Sequence, residues 1–277
     1  IQGIDNDYDY AEWYDLTKPT EEELAAQRTA VFEYMPKLSV VIPAYKTPER
    51  YLKEMLNSIL AQTYENWEIC IADGSPAGES CERVLKRYAE QDRRFKYVIL
   101  GENKGISGNT NAAMDMAAGD FIVLADHDDT LPPHALYEVV KAINEHPEAD
   151  VIYSDEDKMD MDGGALFDPH FKPDFNIDLL RSVNYICHLF VVSHDLAART
   201  GGFRQEFDGA QDYDFIFRCV ESAGQVYHIP KVLYHWRCHQ NSTASNPESK
   251  LYAFEAGSRA IMAHYDRVGI QAERVEK

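Results

Sequence analysis

The chain has 277 residues, 45% hydrophobic and 12% aromatic, with a formal net charge of −20; that suffices for one large α/β domain or two small ones with a sizeable core. The charge excludes a nucleic-acid binder, which needs a basic footprint, and disfavours broad docking on an anionic membrane surface. No apolar stretch reaches the roughly 20 residues that span a bilayer, and no secretory signal is visible.

Residues 1–36 are acidic and aromatic (Asp5, Asp7, Tyr8, Asp9, Tyr10, Trp13, Tyr14). They read as an N-terminal helical extension packing on the main domain, with a helix from Thr20 to Glu33 opened by capping-box spacing, Thr20 to Glu23. Ile1 in place of Met is expected of a segment of a longer protein. From Leu38 strands and helices alternate. The predicted order is a strand Leu38–Pro43, a helix after Thr47-Pro48, a strand Trp67–Ala72, a helix Cys81–Gln91, a strand Phe95–Leu100, a helix Ser107–Gly119, a strand Asp120–Ala125 and a helix Pro132–Glu145. This pattern predicts a parallel, doubly wound half. The second half is less regular. Val151–Ser154 reads as a short strand before an acidic loop, Asp155-Glu156-Asp157, and Asp168–Pro173 as a loop. Ile186–Val192 reads as a strand, Asp212–Ala223 as a helix, Gln225–Tyr234 as a strand broken by Pro230, and Pro247 as the start of a long C-terminal helix. The five cysteines form no CxxC pair, so a zinc site is not expected. Cys70, Cys187 and Cys219 read as buried small hydrophobes, which suits a reducing cytoplasm.

Three strand ends carry polar groups: Pro43-Ala44-Tyr45, Asp73-Gly74-Ser75 and Asp126-His127-Asp128-Asp129. Consecutive parallel strands bring such ends to one rim, and open α/β sheets bind ligands there. Adjacent carboxylates repel unless a cation or donors neutralise them, so the acidic turn reads either as a site for a hard divalent metal with phosphate or as a solvated turn leading into a helix. Asp73 is suited to accept from a base N–H, and Tyr45 to stack on a base; a plain turn is the competing reading. Gly105 and the helix start after Lys104 could face a phosphate or simply begin a helix. Gln211-Asp212-Tyr213-Asp214 sets two carboxylates at a helix start, either as dipole partners or as a general base. In Tyr234-His235-Trp236-Arg237, His235 could ligate a metal and Arg237 could bind a phosphate. Neither a P-loop nor a Rossmann dinucleotide motif is present.

Six segments in order, Leu38–Tyr45, Ser58–Tyr64, Ala72–Ser75, Asn103–Ser107, Asp126–Asp129 and Gln211–Asp214, resemble the inverting family 2 glycosyltransferases of GT-A fold, closest to bacterial surface-polysaccharide members such as those labelled rhamnosyltransferases. The resemblance implies a Rossmann-like, mostly parallel sheet flanked by helices, with an acceptor-side α+β half. It implies a transferase domain over 37–246, divided near residue 130 into nucleotide and acceptor halves, followed by a C-terminal helix over 247–277. Pro43, Ala44, Tyr45, Asp73 and Lys104 would serve the nucleotide, Asp126 the ribose, Asp128 and His235 a Mn²⁺ or Mg²⁺ ion, and Arg237 the phosphates. Asp212 would be the catalytic base and Gln211 would face the acceptor. Gln211 stands where the family usually has Glu, and Ala72 where it often has a second Asp. The implied reaction moves a sugar from a UDP- or dTDP-sugar to a glycan or lipid-linked glycan, in the cytoplasm or at the inner membrane face, with peripheral membrane association. A sugar nucleotidyltransferase is the competing enzyme class, but the loop after the first strand lacks its Gly-rich basic character. A degenerate binding domain of a larger protein is the non-enzymatic alternative.

Overall fold

A computed structural model describes residues 10–238, 251–273 and 275; Asp5, Asp7, Tyr8, Asp9 and Pro247 lie outside them. Two short helices, α1 (Tyr10–Thr17) and α2 (Glu21–Arg28), precede the sheet. The Thr20–Glu23 capping box forms at the start of α2, which ends at Arg28, short of the expected Glu33; α1 lies within the expected helical extension but carries no start signal of its own. Every residue of β1 (Leu38–Ala44) and β2 (Trp67–Asp73) is buried, as parallel strands covered on both faces require. β1 pairs in parallel with β2 and with β4 (Phe121–Leu124), and β2 with β3 (Phe95–Ile99). The helices α3 (Glu49–Leu60), α4 (Glu82–Gln91) and α5 (Gly105–Met114) make the crossovers. α3 buries Leu52, Met55, Leu56 and Ile59, one helical stripe.

Past β4 and α6 (Ala135–Glu145) the sheet changes sense. β7 (Phe190–Ser193) runs antiparallel between β4 and β5 (Ala149–Met159); Phe190 lies opposite both Leu124 and Tyr153. β8 (Gln225–Arg237) runs parallel to β5 along its length, and β6 (Leu166–His170) pairs antiparallel with the far end of β5. The strand order is β3-β2-β1-β4-β7-β5-β6, with β8 on the other edge of β5. Because β7 is reversed relative to β4, β5 and β8, the residues leading into it lie at the same rim as those leaving the other three. The helices α7 (Ile177–Leu180), α8 (His194–Thr200), α9 (Gln211–Val220) and α10 (Leu251–Val268) cover the second half. Among the described residues no helix is long and apolar enough to cross a membrane.

Several elements depart from expectation for identifiable reasons. Asp155-Glu156-Asp157 is buried strand, not loop, because each carboxylate finds a histidine: His228 Nε2 at 2.8 Å, His188 Nδ1 at 3.0 Å and His235 Nδ1 at 2.6 Å respectively. Asp168–His170, expected in a loop, belong to β6. β7 starts at Phe190 instead of Ile186, since the carbonyls of Ile186 and His188 accept from buried Lys172 Nζ instead of a neighbouring strand. α5 ends at Met114, and the following amides of Ala118 and Gly119 donate to Glu68 and Ser39. β8 continues past Pro230 because its register against β5 shifts there, absorbing the residue that cannot donate.

The end of the sheet opposite the rim is fastened by Glu68 on β2, 1% exposed. It accepts from Lys37 and Lys96 ammoniums, Ser39 Oγ and the Ala118 amide, reaching β1, β3 and the approach to β4. Burial pushes its carboxyl up, but the two lysines and the other donors outweigh it and hold it at about 2. A depressed carboxylate contributes stability above its ordinary value of 4.5, and that contribution is lost as pH falls toward about 2. Glu68→Gln is therefore expected to lower unfolding stability at pH 7 by roughly 2–3 kcal/mol, measured by urea denaturation, with the gap to wild type closing as pH is lowered through that window.

Candidate active site

The rim carries a cavity of about 400 Å³ lined by Val41, Pro43, Leu124 and Asp126 from the first half and by Cys187, His188, Gln211, Asp212, Trp236 and Tyr252 from the second. Strand direction explains the gathering. Asp126 follows β4, His188 precedes antiparallel β7, and Glu156 and Trp236 lie toward the ends of β5 and β8.

The acidic turn divides its labour. Asp126 lines the cavity; burial pushes its carboxyl up, but His188 outweighs this and holds it below the ordinary value. Asp129 is 1% exposed and accepts from Tyr234 Oη at 2.6 Å and from the Arg237 amide at 2.7 Å. Asp128 lies beside His127, with its carbonyl held by Arg237 Nε at 2.6 Å. Asp126, Asp129 and His188 bring ligand atoms within 4.8 Å of one another. Carboxylate oxygens suit a hard divalent ion such as Mn²⁺ or Mg²⁺, so the acids of the turn fit the implied metal.

The pairing of Asp128 with His235 is not the one formed. Successive residues of a strand face opposite sides, so β8 turns Tyr234 and Trp236 toward the cavity, while His235 and Arg237 face away. His235 uses both ring nitrogens: Nδ1 donates to Asp157 Oδ1 at 2.6 Å, and Nε2 meets Tyr14 Oη of α1 at 3.2 Å. Arg237, 1% exposed, spends its guanidinium on Glu54 at 2.5 Å and on the carbonyls of Asp128 and Met161. In this arrangement it fixes the acidic turn and presents no donor to a phosphate.

Of the residues expected to serve the nucleotide, Pro43 lines the cavity, while Tyr45, two residues on, is 40% exposed. Ala44 is buried, its carbonyl accepting from the Gly74 amide at 2.9 Å. Asp73, expected to read a base, is fully buried and already accepts from Ser75 N, Ser80 Oγ and Cys81 N at 2.7–2.9 Å; it shapes the turn instead. Lys104 is exposed, next to Gly105, whose φ of +74° suits a residue without Cβ. At the start of α5 the Gly105 amide donates to Asn103 Oδ1 at 3.0 Å. Asp208 Oδ1 accepts there from Ser107 Oγ at 2.5 Å and Ser107 N at 3.4 Å, a carboxylate supplied by the other half.

The start of α9 separates its two carboxylates. Asp214 is fully buried and paired with Arg218 at 2.9 Å, whose other nitrogens donate to the carbonyls of Thr200 and Gly202. Asp212 lines the cavity and accepts from Asn184 Nδ2 at 2.8 Å. Burial pushes the Asp212 carboxyl up, against the opposing charge of His188. The Gln211 amide oxygen accepts from Gly209 N at 2.9 Å, closing the turn before α9. Sequence reading missed His188, Glu156, Asn184 and Trp236. For Trp236, the two-residue period of its strand was the available signal. Cys187, expected in the core, is half-buried at the cavity wall, and burial pushes its thiol up.

A doubly wound half, a reversed strand beyond it and an acidic turn facing a second carboxylate define a GT-A type domain. The chain belongs to glycosyl transferase family 2, whose model matches residues 39–191. It is 47% identical over 84% of its length to an uncharacterised protein, y4gI, of Sinorhizobium fredii, covering 26% of that protein. It is 35% identical over 96% of its length to the O-antigen biosynthesis protein RfbC of Myxococcus xanthus, covering 21% of it. The chain thus spans about a quarter of these curated relatives. The crystal structure of S. aureus TarS 1-349 in complex with UDP superposes with a TM-score of 0.66 at 20% identity, over 86% of this chain and 67% of that one.

The two carboxylates of α9 predict opposite stability effects. Asp214→Ala leaves a buried guanidinium unpaired and is expected to cost about 3–5 kcal/mol. A carboxyl raised by burial, as at Asp212, costs stability once pH exceeds its ordinary value of 3.8. Asp212→Asn is therefore expected to raise the calorimetric unfolding midpoint at pH 7, with the gain vanishing below that value.

Proposed function

We propose that this domain is a metal-dependent inverting glycosyltransferase. It moves a sugar from a UDP- or dTDP-sugar to a hydroxyl of a glycan or lipid-linked glycan in cell-surface polysaccharide synthesis. The observation that carries the reading is the placement of Asp126 and Asp212 on one cavity at the ends of the parallel strands. The UDP complex of TarS and the name of RfbC support the donor class and the pathway class. The nucleoside lies along Pro43 and Tyr45, with Lys104 nearby, and Asp126 engages the ribose. Asp126 and Asp128 would hold Mn²⁺ or Mg²⁺, and the ion would supply positive charge toward the leaving diphosphate.

Asp212 accepts the proton of the acceptor hydroxyl as its oxygen attacks the anomeric carbon. The bond from that carbon to the diphosphate oxygen breaks on the opposite face, and configuration inverts. Asn184 orients the carboxylate through the 2.8 Å hydrogen bond, and burial, by raising the Asp212 carboxyl, makes it a stronger base than an exposed aspartate. Gln211 flanks the acceptor side. The reaction takes place in the cytoplasm, with peripheral association at the inner membrane face where a lipid-linked acceptor resides.

Calorimetric titration with UDP and dTDP, with and without Mn²⁺, should show metal-dependent binding that is lost in Asp128→Ala. Absence of binding in the wild type would sink the reading. Asp212→Asn should lower turnover by about 10²- to 10⁴-fold while leaving UDP affinity within about twofold; near-normal turnover would remove Asp212 as the base. The acid limb of the wild-type turnover profile is expected above 3.8, because the base carboxyl is raised. Hydrolysis of a donor sugar by the wild type separates this reading from a binding domain without activity.

A further inference from the structure

Among the described residues lining the cavity, His188 is the one basic side chain, and its surroundings fix it on several sides. Glu156 takes Nδ1 at 3.0 Å and the His188 amide at 3.2 Å. Lys172, buried behind, stands 3.5 Å from Glu156 and donates to the carbonyls on either side of Cys187. Tyr234 stacks on the ring at 4.5 Å with a 6° interplanar angle, and Trp236 flanks it at 5.8 Å. With Nδ1 committed to Glu156, Nε2 keeps only long contacts, one of them a weak hydrogen bond to sulfur. Its neighbours are Asp126 Oδ2 at 3.7 Å and Cys187 Sγ at 3.9 Å. The carboxylate distance is too long for a direct hydrogen bond and short enough for one bridging oxygen.

We infer that His188 Nε2, with Asp126, holds a hydroxyl of the transferred sugar, making His188 a substrate-contacting residue of this reaction. The inference rests on the glycosyltransferase reading, which places the sugar between Asp126 at the ribose and Asp212 at the acceptor. A hydroxyl is both donor and acceptor. It can therefore donate to Asp126 and accept from Nε2–H, or donate to a bare Nε2, so the contact does not depend on the charge of the ring. Glu156 and Lys172 act through His188 and are positioning residues. The competing roles for the same geometry are a brace for the acidic turn, through Tyr234, and a nitrogen ligand to the metal, since Nε2 stands among the carboxylates of that turn.

The test pairs a side-chain deletion with hydroxyl deletions. Wild type, His188→Ala and His188→Gln are assayed with whichever of UDP-glucose, UDP-galactose, UDP-GlcNAc and dTDP-rhamnose the wild type turns over fastest, and with its single-deoxy analogues. In the wild type one analogue should lose roughly tenfold or more in kcat/KM. In His188→Ala that analogue and its parent should agree within about twofold, while the other analogues keep their wild-type penalties. His188→Gln, which retains an amide at the same reach, should restore part of the discrimination. UDP and Mn²⁺ affinities, measured by calorimetry, should stay within about twofold in both variants. Undiminished discrimination at every hydroxyl in His188→Ala would overturn the inference. Loss of Mn²⁺ affinity would overturn it in favour of a metal ligand, and loss of UDP affinity with Mn²⁺ binding intact would overturn it in favour of a brace. A wild type that binds no nucleotide fails at the earlier reading, which the same calorimetry reveals.

Discussion

The site depends on one strand direction. β7 lies antiparallel between β4 and β5, with Phe190 opposite Leu124 on one side and Tyr153 on the other. Were β7 parallel, residues 184–188 would emerge at the far end of the sheet, where Glu68 and its lysines sit. Reversed, the same five residues arrive beside Asp126 and bring Asn184 to Asp212. The reversal is held by packing: Phe190, Val191 and Val192 are each at most 1% exposed. A shift of one residue would turn those side chains to the wrong faces of the sheet.

Charge is distributed to match. The chain carries 47 acidic and 27 basic residues, yet the acids of the second half are neutralised in detail. Consecutive residues of β5 alternate faces, so Asp155 and Asp157 meet His228 and His235 on one side, and Glu156 meets His188 on the other. These pairs let three carboxylates lie within a sheet without stranding a bare charge. They also leave Asp126 and Asp212 as the acids that line the cavity. The helices follow the same economy, with Asp208 rather than a substrate completing the start of α5.

The first half was legible in the sequence because its order comes from local signals: apolar runs of strand length, a helical stripe on α3, and turn residues after each strand. Each predicted strand there lies within a residue or two of the observed one. The second half was less legible because its order comes from pairing at long range. Asp155-Glu156-Asp157 has the composition of a loop and becomes strand only through histidines 32 to 78 positions away. Asp212 and Asp214 are indistinguishable in sequence, and only Arg218, one helical turn on, commits Asp214 to structure. His235 and Arg237 were favoured for their chemistry; strand parity sends both away from the cavity. Asp73 stood at the expected turn, but a buried carboxylate with three donors is spent on that turn.

The two halves are tied on both flanks of the cavity, by Asp208 on Ser107 and by Tyr234 on Asp129. Each tie joins a side chain of the second half to a segment of the first. Recombination between relatives must respect this. A chimaera that takes its second half from another family member inherits that member's partners for Ser107 and Asp129, and a mismatch at either would disturb the first half although none of its own residues had changed. Grafts that spare Ser107, Asp129, Asp208 and Tyr234 leave both ties in place.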